Sequence, residues 1–493
     1  MASIKQETLT SMKWTTIERF GVNGIRFVLG IIMARLLTPS DYGVLGMITV
    51  FIAISRTFVD SGFGNALIRK LDRTDVDCST VFHFNVVIGI VCYAILFLIA
   101  PLIAQFFEMP ILSDVLRIQA ITLVLNSLII VHSAKLIIKL DYKTLAKRTL
   151  SANLIAGIVG VLCAYTGMGV WALVVQAVLS KLISVIFIWK SVKWRPQWVF
   201  SRTSFRELFS YGSKLMLAGL INKLFGSLNT FVIGKFFSSS DLGLYSRGTH
   251  FARMPVDNVN SIIGRVVFPV LVKYQDNDKK LVDAYRKYVR IMSMLIFFGC
   301  MLLASIAKPL ILLLLTEKWS GAIIFLQIYV FSCMFGHIDT INLRLLQIKG
   351  RSDVFLNIDV IKKTLGVVIL FAAIPFGVVG ICISKILSSQ IVLFIDIYFT
   401  GKLFGLGYFE QMKDYMFFFI ISLISCLPGY FFSEYVDVNY GIAIFLSLIT
   451  GIALYIYVLR NNQSMLMVYS VIREKASLLP IKIVFKGHKD GRH

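Results

Sequence analysis

Charge is scarce in this sequence, and negative charge is scarcer still. Only 16% of the 493 residues are charged, and 27 acidic residues face 50 basic ones. A soluble domain carries about a quarter charged residues, so a soluble globular chain is excluded. The seven cysteines are scattered, mostly in apolar runs, and no CxxC occurs. That removes thiol redox and zinc motifs. No GxxxxGK[ST] is present, so nucleotide hydrolysis on a P-loop is excluded. HExxH, GxSxG and metal-spaced His/Cys clusters are missing as well. No small-residue cleavage site follows the first apolar run, which reads as an uncleaved first helix.

What the chain does have is apolar length. Hydrophobic residues make up 57% of it, and the mean hydropathy is +0.78. Runs such as "VVIGIVCYAILFLIAPLIAQFF" and "MSMLIFFGCMLLASIAKPLILLLL" exceed the roughly 20 residues that cross a bilayer as a helix. A β-barrel would show alternating segments of about 10 residues instead. The fold class expected is an all-α polytopic membrane protein with about 14 transmembrane helices. The eighth span is the weakest, because it holds Arg247, Arg253, Pro255, Asp257 and Arg265.

The formal charge of +23 would suggest nucleic acid in a soluble protein. In a polytopic chain it reads as cytoplasmic loop charge, and no nucleic-acid partner is expected. The basic segments "KSVKWRPQWVFSRTSFR" and "KYQDNDKKLVDAYRKYVR" fall on one side, and the short loops "TPSDY", "SSSD", "TEKWS" and "SEYVDVN" on the other. Both termini are therefore expected in the cytoplasm, with Asp41, Asp241 and Lys318 outside. The basic tail from Arg460 to His493 reads as a cytoplasmic anchor near anionic headgroups.

One polar corner is written twice. "ARLLTPSDYGVLGM" contains Ser40, Asp41 and Gly43, which recur as Ser240, Asp241 and Gly243 in "GKFFSSSDLGLYSR". Thr49, Phe51, Val59, Ser61 and Gly64 recur at the same offset. The chain thus reads as a duplicated unit of about six spans, in parallel orientation, with a site between the halves. The expected organisation is an N-lobe at 1–207 (helices 1–6), a C-lobe at 208–400 (helices 7–12), and two further helices with the basic tail at 401–493.

Charges inside spans are the candidate functional residues, since a cation at a helix centre costs about 2.5–3.5 kcal/mol. Arg26 pairs with Lys223, Arg56 with Arg253 and Asp60 with Asp257, each about one helical turn short of the repeat register. Arg26, Arg56, Lys223 and Arg253 are expected to line one cationic cavity. Asn23, Asn222 and Asn229 would add neutral polar groups, or else bond between helices. Arg56–Asp60 and Arg253–Asp257 also fit simple i, i+4 ion pairs. His132, Lys181, His337, Asp339 and Lys362, among others, read as snorkelling or loop-facing. With no ATPase, the cycle needs an ion gradient or downhill use of product. Asp60 and Asp257 are the candidate proton or sodium coupling sites, although a neighbouring arginine favours the ionised form. No other cofactor or metal is expected.

The stretches "ERFGVNGIRFVLGIIMARLLTPSDYGVLGM", "FVDSGFGNALIRK", "VVFPVLVKYQDN" and "LTEKWSGAIIFLQIY" resemble the polysaccharide-exporter branch of the multidrug/oligosaccharidyl-lipid/polysaccharide exporter superfamily. The nearest look is to Wzx-type lipopolysaccharide and colanic-acid-exporter-like flippases. The resemblance covers spans one to twelve. It implies two six-helix lobes plus two helices in a bacterial inner membrane. It also implies flipping of an undecaprenyl-pyrophosphate-linked oligosaccharide to the periplasmic leaflet, by alternating access around a cationic cavity. A polysaccharide polymerase and a chain-length regulator are the implied partners, beside membrane lipid. The match of Arg26, Arg56 and Arg253 to the arginines of such flippases is by helix. The alternatives are a small-molecule or drug antiporter of the same superfamily and a membrane glycosyltransferase or polymerase. The first would want an acidic or apolar cavity. The second would need carboxylates and a large outer loop.

The topology is testable in a background without native cysteines. Lys318→Cys should react with an impermeant thiol reagent added outside intact cells, and Lys193→Cys should not. The reverse pattern would invert the orientation.

Overall fold

The computed structural model describes residues 2–262, 267–436 and 439–467. Among these, every regular element is helical. The order is α1 (Ala2–Leu36), α2 (Pro39–Asp60), α3 (Phe63–Arg69), α4 (Asp75–Phe106), α5 (Ile111–Ile138), α6 (Tyr142–Tyr165), α7 (Val170–Ser191), α8 (Arg202–Phe236) and α9 (Ser239–Ile262). Then come α10 (Phe268–Val272), α11 (Asp278–Ser305), α12 (Ala307–Leu315), α13 (Ala322–Cys333), α14 (Gly336–Ile348), α15 (Ser352–Ala372), α16 (Gly377–Phe404), α17 (Tyr408–Tyr435) and α18 (Tyr440–Leu459).

Eleven helical stretches among the described residues are long and apolar enough to cross a membrane. Hydrocarbon offers backbone groups no partner, so a spanning segment must satisfy its own as a helix. Large apolar side chains stay exposed along α4 (Val87, Ile90, Ile95, Leu98, Leu102) and α18 (Ile442, Phe445, Ile449, Ile452). Such surface suits lipid rather than water. The chain is an all-α polytopic membrane protein. Fourteen spans were expected; α1, α9 and α15 fall outside the eleven, and each carries several charges, among them Arg26, Arg253 and Lys362. The basic tail beyond Met467 lies outside the described residues.

The chain divides into two compact units. Unit 1 holds residues 1–250, 311–326 and 366–384, and unit 2 holds 251–310, 327–365 and 385–493. These bounds differ from the lobes expected at 1–207 and 208–400, since α8 and the first half of α9 group with unit 1. The duplicated corners show why. Thr38 and Asp41 form a capping box at the start of α2, the Thr38 amide donating to Asp41 Oδ2 at 2.9 Å. Ser238 and Asp241 repeat it before α9, with the Asp241 amide donating to Ser238 Oγ at 3.0 Å. Each cap satisfies amides that a helix start leaves open.

The glycines then let the two corners meet. A Cβ on Gly43 would lie 1.7 Å from the Ser239 carbonyl oxygen, and one on Gly243 would lie 1.8 Å from that of Pro39. Ser40 and Ser239 hydroxyls bond across the contact at 2.7 Å. The segment 311–326 closes over it. Trp319 is fully buried and donates its Nε1–H to the Ala34 carbonyl at 2.8 Å. Arg35 donates to the Leu314 carbonyl at 2.8 Å, and the Arg247 guanidinium lies 3.8 Å over the Tyr42 ring. Together these seal the end of unit 1 that carries the short, Lys/Arg-poor loops.

Gly43→Ala should therefore cost about 1–3 kcal/mol or more, as overpacking against backbone does. Gly24→Ala, where nothing lies within 4 Å of the new Cβ, should be neutral or up to about 1 kcal/mol stabilising. Thermal unfolding in one detergent compares the two.

Candidate functional site

A cavity of about 410 Å³ lies wholly within unit 1, lined by Arg26, Arg56, Arg148, Lys181, Asp60, Asn126 and Asn153, among others. It is built from α1, α2, α3, α5, α6 and α7. On α2 and α5 its residues sit on the halves away from the sealed corner. Four cations thus face one carboxylate, a surplus of positive charge that favours an anion.

A chain of bonds orders the wall. Arg56 Nε stands 3.6 Å from Asp60 Oδ2, one helical turn away. Asn126, buried on α5, donates to Asp60 Oδ1 at 2.9 Å and accepts from the Lys181 ammonium at 3.3 Å. On the other wall Arg26 Nε donates to Asn153 Oδ1 at 3.2 Å. Arg148 donates through Nη1 to the Ser133 hydroxyl at 2.8 Å. Its Nε is buried and donates to no group among the described residues. The planar fork of a guanidinium can donate two parallel hydrogen bonds to a pair of phosphate oxygens.

Of the four cations expected to converge, Arg26 and Arg56 share this cavity. Lys223 is exposed on α8, outside it. Arg253 belongs to unit 2, where its Nε donates to the Tyr329 hydroxyl at 3.1 Å. Asp257 is exposed on α9. Asn23 and Asn222 are exposed, and Asn229 donates to the Tyr245 hydroxyl at 3.4 Å, the interhelical bond weighed for it.

The positions not anticipated are Arg148, Asn126 and Asn153, and Lys181 is corrected. It does not reach for a loop, because Asn126 offers a nearer partner. Lys362 and Asp339 are corrected likewise: they meet each other and Asp396 inside unit 2. His132 and His337 are fully buried in aromatic packing, His132 with its ring centroid 4.8 Å from that of Trp189. The legible signal was each charged side chain's place within an apolar run; its partner sits on another helix, at no fixed spacing.

Asn126 carries two bonds of this wall. Asn126→Leu should leave Asp60 and Lys181 short of a partner and cost about 1–3 kcal/mol, read by thermal unfolding. An unchanged midpoint would show that the relay contributes nothing.

The family described as "Polysaccharide biosynthesis protein" matches residues 32–324. The lipopolysaccharide biosynthesis protein WzxC of Escherichia coli strain K12 is 26% identical over 446 residues, covering 87% of this chain and 88% of that protein. The teichuronic acid biosynthesis protein TuaB of Bacillus subtilis strain 168 is 24% identical over 379 residues, covering 76% of this chain and 78% of that protein. Among solved structures, the lipid II flippase MurJ in an inward closed conformation superposes with a TM-score of 0.71 at 12% identity, over 95% of this chain and all of that one. That likeness is one of fold. With more than half its length matched, the chain belongs to the polysaccharide biosynthesis protein family.

Proposed function

We propose that this chain is a flippase for a lipid-linked oligosaccharide, moving a polyprenyl-pyrophosphate-borne repeat unit across a bacterial inner membrane for surface polysaccharide or lipopolysaccharide assembly. The observation that carries the reading is the cavity of unit 1, with four cations, one carboxylate and the unused Arg148 donor. A pyrophosphate cannot cross hydrocarbon unshielded. Charge-assisted bonds from two or more guanidinium groups replace its water. The wall also supplies amide and hydroxyl groups for the adjoining sugar, while the lipid tail stays in the bilayer. The WzxC and TuaB likenesses support the same reading, since both are named for surface-polymer biosynthesis.

The mechanism follows from the two ends of unit 1. One end is sealed by Gly43, Gly243 and Trp319, and the cavity lies toward the other. Release on the far side requires that the seal part and the cationic end close. Transport of this kind breaks no covalent bond of the cargo, so the residues bind and release without catalysis. An antiporter for cationic drugs would meet like charge here. The polymerase and chain-length regulator enter as the machinery that would use the flipped product.

Loss of the chain should make lipid-linked repeat units accumulate. Arg56→Ala should remove about 1.5–3 kcal/mol of anion binding, roughly tenfold to a hundredfold. It also leaves Asp60 without its partner, so Arg56→Ala/Asp60→Ala separates two accounts. If Arg56 only neutralises Asp60, the double variant recovers transport. If Arg56 binds phosphate, the double variant stays inactive, and Arg56→Lys falls between because it loses the bidentate fork. Full transport by the double variant at matched membrane levels would overturn the cationic site.

A further inference from the structure

One buried cluster in unit 2 has the opposite charge imbalance. Lys362 on α15 donates to Asp339 Oδ1 on α14 at 2.6 Å and forms an ion pair with Asp396 on α16. The Asp396 side chain is fully buried and Lys362 is 9% exposed, while Asp339 is 31% exposed. The Asp396 carboxyl meets the Lys362 ammonium and the Asp339 carboxyl. The two carboxyl groups are within hydrogen-bonding reach of each other. Two carboxylates and one ammonium leave one negative charge over, in the interior of a membrane protein.

That surplus is costly. A buried unpaired charge is avoided by gaining a counter-charge or by giving up the charge. Carboxyls that approach each other this closely share a proton, because both cannot ionise side by side. On the neighbouring wall, Arg286 and Arg290 of α11 pair with Asp414 of α17. The Tyr285 hydroxyl on α11 donates to Gln411 Oε1 at 2.8 Å, with Asn342 Oδ1 at 3.1 Å as the alternative acceptor. Gln411 on α17 is itself turned toward backbone carbonyls of Ile397 and Leu406. The Thr400 hydroxyl on α16 donates to the Asp396 carbonyl.

We infer that Asp339 and Asp396, held by Lys362, form a proton-binding site in unit 2, the ion-coupling site of the transport cycle. The inference rests on the transport reading above. Partly exposed Asp339 takes a proton from water, and the O–H so formed is shared with the buried Asp396. In the opposite state the O–H breaks and the proton returns to water on the other side. No other bond changes. Of the two coupling candidates read from the sequence, Asp60 lies beside Arg56 and Asn126 in the unit 1 cavity and Asp257 is exposed on α9. The lone Asp396 within "IVLFIDIYF" was the sequence signal for this site.

Infrared spectroscopy of the full chain in liposomes reads a protonated carboxyl apart from ionised ones, and needs no transport substrate. A protonated carboxyl band should be present at neutral pH, lost in Asp396→Asn and Asp339→Asn, and kept in Arg56→Ala. That last variant separates failure here from failure of the pyrophosphate site. In cells that depend on this chain for oligosaccharide export, Asp396→Asn and Asp339→Asn should lose export at unchanged membrane levels. If Asp396→Asn does not insert, the Asp339→Asn comparison and the wild-type spectrum still decide. Absence of the band, or its survival in Asp339→Asn, would overturn the site as a proton carrier. So would thermal stabilisation by sodium over choline that Asp339→Asn abolishes, which would assign a metal cation. Full export by both variants would leave an ion pair with no coupling role and overturn the inference.

Discussion

A charge in hydrocarbon must be paired, hydrated or given up, and the polar interior of this chain follows from that constraint. The backbone meets it by forming helices, which make up every regular element among the described residues. The side chains meet it in two ways. In unit 1 the surplus is positive and gathers around a cavity, where a mobile anion can supply the missing charge. In unit 2 one buried cluster has a negative surplus, Asp339 and Asp396 sharing Lys362. The same physical cost thus points to two ligands of opposite sign.

The duplicated corner shows a second economy. Asp41 and Asp241 close the starts of α2 and α9 by capping, while Gly43 and Gly243 let the backbones of those starts touch. Helix start and seal are one structure, so parting the seal leaves the helices intact. A gate made of side chains alone would need larger rearrangement. Trp319 and Arg35 reinforce the closed end through carbonyls at helix ends, which lack intrahelical partners.

Much of the fold was legible in order of residues. Apolar runs longer than a core helix needs, and polar breaks between them, place most helices within a few residues. The repeat was visible because both copies keep Ser, Asp and Gly at fixed offsets, and each residue type has a local job. Arg26 and Arg56 could be named from sequence because a cation within an apolar run stands out, and both proved to line one cavity. Arg148 lies only six residues into α6, where a snorkelling reading is natural. Lys181 carried no sign that Asn126 would reach it from another helix.

The sequence by itself determined the helices, their caps, the duplication and the signs of the buried charges, because these depend on neighbours within one or two turns. Which charges meet was decided only by the tertiary structure. Arg148 and Lys181 join Arg26 and Arg56 through the packing of α1, α2, α5, α6 and α7, and Asp339, Lys362 and Asp396 come from three successive helices. A coulombic interaction acts over a few ångströms of space and is indifferent to distance along the chain, so no spacing in the sequence could announce it.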